Sequence, residues 1–318
     1  KSSFNFLSIQ SRLTGKITGP DAFGAKTSGV IEGAFFGHTN PDVNGFRLRH
    51  AFFKLNWTNT ELLFGQYWHM MFVTGCFPGT VSFNTGTPFQ FFTRNPQIRL
   101  TYRSGNLSIA GMLAAQRDFA SPYGSGSLRN SATPDIQGQL SYSGENLLAG
   151  VTAGYKTLMP RIETDSLYKT STTVGGFSAQ AFLKITAPSL TFKFQAAYLE
   201  NGFDGLSIGG YAIHSITDPM RDLRKYTTIN TFSLWTDIHT NGKVFQAGVF
   251  AGYSKNLGAS EELENTATIP EYTRGWNIGN LFRISPRIIL NNNKTRFAFE
   301  YELTGAAYGS SVDNMGIP

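Results

Sequence analysis

The chain has 318 residues, of which 41% are hydrophobic, 15% are charged and 14% are aromatic, and its formal net charge is +6. A single cysteine, Cys76, excludes an internal disulfide framework and any CxxC metal or redox motif. No apolar run reaches the roughly 18 residues of a membrane helix, which excludes a helical inner-membrane protein. The mean hydropathy of -0.17 fits strands that alternate between lipid and lumen, although a soluble β-sandwich array would have a similar average.

Residues of alternating polarity recur along the chain and predict about fourteen β-strands. In chain order these strands span residues 6–17, 26–36, 46–57, 61–68, 97–103, 107–118, 135–142, 147–156, 177–185, 190–198, 226–238, 244–254, 276–290 and 296–307. Short polar turns alternate with long loops, which is typical of an up-and-down membrane barrel with its short turns on the periplasmic side. The absence of a period of about 40–50 residues disfavours a propeller.

The fold predicted from this rhythm is all-β, an antiparallel transmembrane β-barrel in which residues 1–318 form one domain. Only closure of such a sheet removes unpaired backbone groups from the hydrocarbon. The apolar strand faces, such as Phe245, Val249 and Tyr253, are expected to contact lipid in a bacterial outer membrane. Aromatic residues near strand ends, such as Trp57 and Tyr102, fit an interfacial girdle.

The longest connection without any period follows the strand that ends near Trp68 and precedes the strand that starts near Gln97. A connection of about 25 residues in a compact fold is usually functional or disordered, and the aromatic content here argues against disorder. We predict that residues 69–95 fold into the lumen as a pore-constricting loop. Its phenylalanines are interpreted as packing residues in preference to a track for solutes, and they are Phe72, Phe77, Phe83, Phe89, Phe91 and Phe92.

Three segments carry a resemblance to a known family, namely FRLRHAFFKLNW (46–57), LLFGQYW (62–68) and RNPQIRLTY (94–102). They resemble the trimeric DcaP-like porins of Gram-negative outer membranes, and the wording of GPDAFGAKTSG and LRHAFFKLNW is similar to members from Bacteroidota. The resemblance implies a sixteen-stranded barrel whose third loop narrows the lumen. It also implies a homotrimer, contact with lipid and lipopolysaccharide, no cofactor, and passive diffusion of small, preferably anionic solutes such as dicarboxylates.

The number of strands is where the residues and the resemblance differ. In such porins the constricting loop follows the fifth strand, whereas here it follows the fourth strand that the alternation reveals. The simplest interpretation is that one strand is missing from each end of this sequence. A true fourteen-stranded barrel is the competing interpretation.

Inward-facing arginines near the constricting loop are the candidate solute-binding residues, because planar guanidinium groups suit carboxylate and phosphate. Rings of such cations attract anions into a narrow pore. The alternative is that these arginines pair with wall carboxylates or loop carbonyls and only hold the loop. The candidates are Arg47, Arg49, Arg94 and Arg99, followed by Arg12, Arg103, Arg283 and Arg296.

The strand alternation breaks at His50. Arg47 and Arg49 face one way, yet the apolar face resumes at Ala51 and Phe53, which a β-bulge near His50 would reconcile. Cys76 is interpreted as a buried loop residue, since no base that could activate it is identifiable.

The residues indicate no enzyme. GLSIG (205–209) matches GxSxG, but it lies in a predicted loop and not in a strand-to-helix elbow. The five histidines show no metal-ligand spacing, and no basic cluster with interleaved aromatics points to nucleic acid. The alternative function is a non-conducting barrel subunit or scaffold of a larger outer-membrane complex.

Overall fold

The structure, a computed structural model, describes residues 4, 11–37, 40–115 and 126–318. Two short helices, α1 (Gly126–Asn130) and α2 (Ile269–Tyr272), lie in connections, and no helix in these ranges is long and apolar enough to cross a membrane. The strands are β1 (Ser11–Thr18), β2 (Lys26–Phe35), β3 (Phe46–Asn56), β4 (Thr60–Trp68), β5 (Arg94–Ser104), β6 (Leu107–Ala114), β7 (Asp135–Ser143), β8 (Leu147–Leu158), β9 (Val174–Thr186), β10 (Leu190–Glu200), β11 (Gly209–Asp218), β12 (Leu223–Thr240), β13 (Phe245–Ala259), β14 (Thr273–Arg274), β15 (Ile278–Asn292), β16 (Thr295–Glu300) and β17 (Leu303–Tyr308).

The strands form one antiparallel sheet in which neighbours in the chain are neighbours in space. β1 to β10 pair in succession, and the wall continues through β12, β13 and β15. β16 and β17 both pair with β15 and are two halves of one wall strand. The described residues therefore contain fourteen wall strands, as the alternation predicts, while the resemblance implied sixteen.

Two parts of the predicted strands, residues 6–10 and 116–118, lie outside the described residues. Among the described pairings, none joins β1 to β16 or β17.

The two faces of the sheet differ as the alternation predicts. On β13 the outward residues Phe245 and Val249 are 52% and 37% exposed, whereas the inward residues Phe250 and Ser254 are fully buried. This arrangement places apolar side chains on the outside of the wall and small, polar or aromatic side chains towards the lumen. Such a surface suits hydrocarbon outside and a packed or wet interior.

The sequence analysis missed two strands, β11 and β14, in regions predicted as loops. β11 pairs with the first part of β12 and with β14, which extends the sheet beyond the wall on the long-loop side. Residues 209–213 of β11 are all buried. A strand covered on both faces has no polar–apolar alternation, so the pattern that revealed the wall strands was absent here.

The segment between β4 and β5, residues 69–93, lies against the inner face of the sheet, and we call it the lumen loop. Its Cys76 and Phe89 are 0% and 1% exposed and form a cluster with the wall residues Trp235 and Phe250. Burial of large aromatic side chains is the main favourable contribution to such packing. Of its phenylalanines, Phe72, Phe89 and Phe91 are buried, in line with a packing role.

Candidate functional site

The lumen loop contains no Lys, Arg, Asp or Glu. Aromatic, small and hydroxyl side chains make up most of it, and His69 at its start is its only residue with a basic side chain. Consequently, the lumen loop itself adds no carboxylate, ammonium or guanidinium charge to the lumen. The position of the loop decides which charges of the wall strands stay accessible.

The middle of the lumen loop is tied to β9 and β10. The Cys76 thiol lies 3.4 Å from the carbonyl oxygen of Leu183, and Lys193 Nζ donates to the carbonyl of Phe77 at 3.0 Å. The interpretation of Cys76 as a buried loop residue is therefore confirmed. These contacts fix the loop on the side of the lumen where its apolar cluster lies.

A buried ion pair supports the next turn of the loop. Arg287 donates to both carboxylate oxygens of Asp237, at 2.8 and 3.0 Å, and His239 Nδ1 lies 2.9 Å from the same carboxylate. The backbone N–H of Gly79 donates to Asp237 at 3.2 Å. Both members of the pair are almost fully buried, so Arg287 is neutralised and does not present a free charge to the lumen.

The side chain of Glu300 binds the backbone of the lumen loop. Its carboxylate accepts hydrogen bonds from the N–H groups of Val81 and Ser82, at 2.8 and 3.3 Å, and from the hydroxyl of Thr85 at 2.8 Å. A carboxylate that accepts several backbone N–H bonds is strongly stabilised in its charged form. The acidic charge of β16 is therefore directed into the loop.

Arg283 holds the adjacent part of the loop. It donates to the carbonyls of Thr85 and Thr87, both at 2.8 Å, and forms an ion pair of 3.2 Å with Glu302. This is the loop-holding role that the sequence analysis weighed against solute binding. For Arg283 the contacts are those of an anchor.

A cavity of about 80 Å³ remains between the lumen loop and β1–β3, and we call it the arginine cavity. Three of its residues are arginines of the wall, while two residues come from the loop. Its lining residues are Arg12, Ala34, Phe36, Arg47, Arg49, Asn84 and Phe92. The cavity thus combines guanidinium groups with the faces of two aromatic rings.

Strand register brings these arginines together. Arg12 on β1 and Arg47 on β3 both lie opposite Ala34 of β2, so they occupy one level of the wall. Further along β3 the register shifts by one residue. Gly33 lies opposite Leu48, whereas Glu32, its neighbour on β2, lies opposite His50. The predicted β-bulge near His50 is therefore confirmed.

The bulge explains how β3 carries inward arginines at Arg47 and Arg49 and yet an outward apolar face from Ala51 onwards. Gly33 lies opposite Leu48 while Glu32 lies opposite His50, so Arg49 is the extra residue of β3. An extra residue re-aims the side chains on either side of it. Arg47 and Arg49 therefore face the lumen, His50 continues that face opposite Glu32, and Ala51 and Phe53 lie on the outer face.

Glu32 is the acidic partner within the cavity wall. It accepts from Arg49 Nε at 2.8 Å and from the Thr14 hydroxyl at 2.9 Å, and it lies 3.5 Å from Arg12 Nε. One carboxylate therefore serves two arginines, while Arg47 stacks its guanidinium over Phe36 at 5.3 Å from the ring centre. The cavity retains an excess of positive charge.

Arg94, at the return of the lumen loop, adds to this charge. It is only 4% exposed, and its guanidinium lies 4.7 Å from the ring centre of Trp68 and 5.5 Å from that of Phe92. Phe92 also lines the arginine cavity, so Arg94 lies next to it. Aromatic faces stabilise a desolvated cation in such a position.

The charge of this side of the wall is strongly one-sided. β1–β5 carry two acidic residues, Glu32 and Glu61. Against them stand nine basic residues, namely Arg12, Lys16, Lys26, Arg47, Arg49, Lys54, Arg94, Arg99 and Arg103. Because the lumen loop adds no charge, the field on this side is positive.

The structure places the other predicted arginines away from the arginine cavity. Arg99 donates to the carbonyl of Trp68 at 2.6 Å and supports the point where the loop leaves β4. Arg103 lies 3.9 Å from Glu61 near the β5–β6 turn, and Arg296 bonds to Asn291 near the β15–β16 turn. Sequence alternation predicts which face of the sheet these residues lie on, but not their positions along the barrel axis.

Four lining residues of the cavity were not among the predicted site residues, namely Ala34, Phe36, Asn84 and Phe92. Phe36 follows the end of β2 and Asn84 lies in the aperiodic lumen loop, so no alternation marks either as lining. His50 is buried against the rings of Tyr67 and Trp68, at 5.4 and 5.3 Å, which is a packing environment. Across the described residues, no three His, Cys, Asp or Glu side chains form a group able to hold a metal ion.

An antiparallel wall with an apolar outer face, short turns on one side and a long inward loop defines the porin class of outer-membrane β-barrels. A search of solved structures agrees. The chain is similar to the outer-membrane channel DcaP of Acinetobacter baumannii, with a TM-score of 0.75, 14% identity, and coverage of 95% of this chain and 81% of that one.

Two further structures have the same fold at lower similarity. An anion-selective porin from Comamonas acidovorans gives a TM-score of 0.58 and 12% identity, with 96% of this chain and 81% of that one covered. OmpT, an outer-membrane protein of Vibrio cholerae in its trimer form, gives 0.54 and 10%, with 98% and 85% covered. No protein-family model and no curated protein matches the sequence. The fold is that of bacterial outer-membrane porins.

Proposed function

We propose that this protein is a DcaP-like porin of the bacterial outer membrane, which lets small anionic solutes diffuse passively and catalyses no reaction. The observation that carries the proposal is the arginine cavity beside an uncharged loop. The lumen loop fills the side of the lumen where it is anchored to the wall. The arginine cavity lies on the other side of the loop, so solutes are expected to pass through this cavity. Residues 69–93 would then be the constriction.

The preference for anions follows from the wall charges. Nine basic residues face two acidic ones on β1–β5, and several of the acidic groups elsewhere in the lumen are engaged by the loop or by Arg287 and Arg283. Fixed cations in a low-dielectric passage raise the local concentration of anions.

Carboxylates are the proposed solute class, with dicarboxylates preferred. A guanidinium group can bind a carboxylate through two parallel hydrogen bonds. Arg12, Arg47 and Arg49 come from two strands and line one small space, so two carboxylates of one solute could be bound at once.

A homotrimer is proposed because the outer face of β1–β4 suits a second copy of the chain. Phe53 stacks on Phe64 with ring centres 5.1 Å apart, beside a shallow apolar groove lined by Ile31, Gly29 and Gly65. Small residues let apolar surfaces approach closely in a membrane. OmpT, one of the structural neighbours, was solved in a trimer form.

Phe53→Ala should weaken the trimer on unheated gels, whereas Phe297→Ala on β16 should not.

The function is tested in a planar bilayer under a KCl gradient, with and without succinate as the dicarboxylate. We expect an anion-selective reversal potential, conductance steps in groups of three, and competition between succinate and chloride. The double variant Arg47→Gln/Arg49→Gln should lose most of the anion selectivity. Arg103→Gln/Arg296→Gln removes the same charge outside the cavity and is the matched control.

The outcomes separate the candidate functions. A cation-selective wild type would overturn the anion proposal but leave a pore. The absence of any conductance would overturn the porin proposal and favour a non-conducting subunit of a larger complex. Equal loss of selectivity in the control would show that the charge of the wall acts as a whole, without a special role for the cavity.

A further inference from the structure

A second segment of the chain folds inward beside the lumen loop. Residues 201–208 lie between β10 and β11, and we call them the brace. They were predicted as part of an outer loop, yet Phe203 and Asp204 are only 3% and 4% exposed. Loops normally run over the surface, because burial of their backbone groups must be compensated by hydrogen bonds. The partners of the brace therefore indicate what it does.

The brace contacts the returning half of the lumen loop. The backbone N–H of Phe92 donates to the carbonyl of Gly205 at 2.9 Å. Gly205 lies flat against the ring of Phe91, since a Cβ at this position would lie 2.1 Å from the nearest ring atom. Ile208 joins the apolar cluster that contains Cys76. Phe92, which lines the arginine cavity, is thus held in place by the brace.

The brace is fastened to the wall by a charge pair. Lys156 Nζ on β8 bonds to the carboxylate of Asp204, and both side chains are more than nine-tenths buried. Arg274 adds a bond to the carbonyl of Phe203 at 3.3 Å. Removal of one member of a buried ion pair leaves the other charge without compensation, which is strongly unfavourable.

We propose that the brace is a second constriction element and that the Lys156–Asp204 pair positions it. In this arrangement the pair fixes the brace, the brace fixes Phe91 and Phe92, and Phe92 sets the width of the arginine cavity. The inference rests on the proposed function in one respect, namely that solutes pass this cavity. Asp204 is the only charged residue of the brace and is neutralised by Lys156, so the brace sets width and not the sign of selectivity.

The test is single-channel recording of Asp204→Asn in the full-length trimer. We expect loss of the single steady conductance level and passage of larger solutes than the wild type admits, while the uncompensated charge of Lys156 should make the reversal potential in KCl more anion-selective. Amide exchange of Phe92 should become faster, because its acceptor Gly205 is no longer fixed. Asp222→Asn, which breaks an ion cluster outside the wall, is the matched control. It should leave the conductance level, the size of the solutes admitted and the amide exchange of Phe92 unchanged.

Two further variants keep the test decisive if Asp204→Asn folds poorly. The charge swap Lys156→Asp/Asp204→Lys should restore the steady level. Gly205→Val should push the brace away from Phe91, whereas Gly126→Val, which places a side chain in open space, should not.

The failures of the two proposals are distinguishable. An anion-selective pore with wild-type conductance and Phe92 exchange in Asp204→Asn would overturn the brace and leave the proposed function intact. A wild type without anion selectivity would overturn the proposed function, and faster Phe92 exchange in the variant would still support the brace. A shift of reversal potential in Gly205→Val, which changes no charge, would contradict the assignment of width alone.

Discussion

The two sides of the lumen treat charged residues differently. On β12–β16, Asp237 is paired with Arg287, and Glu300 accepts bonds from the backbone of the lumen loop. On β1–β5, Glu32 serves Arg49 and Arg12 while further cations surround it. The charged residues of the first side hold the lumen loop, whereas those of the second side line the arginine cavity. Burial with a complete set of partners distinguishes an anchor from a candidate solute site.

The largest expected effect comes from the anchored side. Asp237→Leu leaves Arg287 buried without its partner, and the expected loss of unfolding free energy is about 3–5 kcal/mol. It also removes the acceptor of the Gly79 N–H, so the loop should become mobile. The measurement is guanidinium unfolding in lipid vesicles. Asp237→Leu/Arg287→Leu should recover much of the loss, and failure to recover it would contradict the uncompensated-charge explanation.

Overpacking the same side should have a smaller effect. A Cβ at Gly252 would lie 2.5 Å from the Phe89 ring, so Gly252→Val should force the loop inward at a cost of about 1–3 kcal/mol. Conductance should change through the altered loop position. Gly111→Val meets no atom within 4 Å and serves as control. Equal conductance in both variants would show that the loop does not depend on this contact.

On the cavity side, removal of the acidic partner should change selectivity more than stability. Glu32→Gln leaves Arg12 and Arg49 without a counter-charge, so anion selectivity should rise, opposite to the effect of Arg47→Gln/Arg49→Gln. The stability loss should be about 1–1.5 kcal/mol, at the upper end of the range for a typical intramolecular hydrogen bond. Reversal potentials of the two variants, measured in the same KCl gradient, should move in opposite directions. A shift in the same direction would contradict the role of Glu32 as the cavity's counter-charge.

The smallest effect is expected outside the wall, at Asp222 in the β11–β12 turn. Burial alone would raise its pKa, but hydrogen bonds from Arg161 and Arg224 outweigh burial and hold the pKa well below its usual range. A carboxyl with a lowered folded pKa stabilises the protein above its unfolded pKa of about 4, and this stabilisation is lost as the pH falls through the folded value.

For a pair near the surface the contribution should be about 1 kcal/mol or less. Unfolding of the wild type and Asp222→Asn between pH 2 and 7 measures it. The difference between them should be constant above pH about 4 and should shrink below it. A difference that grows on acidification would contradict the assignment.

The wall could be predicted from the sequence because lipid on one side and lumen on the other impose a strict alternation. The bulge at His50 was predictable for the same reason. An unbroken alternation would put Ala51 on the inward face with Arg47 and Arg49, yet the residues from Ala51 onwards belong to the apolar outer face. β11 was not predictable, because residues 209–213 are buried on both faces. The loop-holding role of Arg283 depends on where the lumen loop packs, which no local pattern encodes.

The same reasoning explains how much of the candidate site could be predicted. Arg12, Arg47 and Arg49 were found because charge on an inward face is visible in the sequence. Phe92 was visible as an aromatic residue but not as a lining residue, because its facing depends on the bond between its N–H and Gly205. Long-range contacts therefore decided which of the predicted residues share one cavity.

The uncharged lumen loop has a consequence for how such a protein could change over generations. Since residues 69–93 bear no Lys, Arg, Asp or Glu, substitutions or length changes there would alter the bore without reversing the ionic preference. Substitutions of the inward arginines on β1 and β3 would change the charge of the arginine cavity and leave the anchors of the lumen loop in place. A lineage that meets a new nutrient could therefore adapt size and charge in separate steps, and neither adjustment would undo the other.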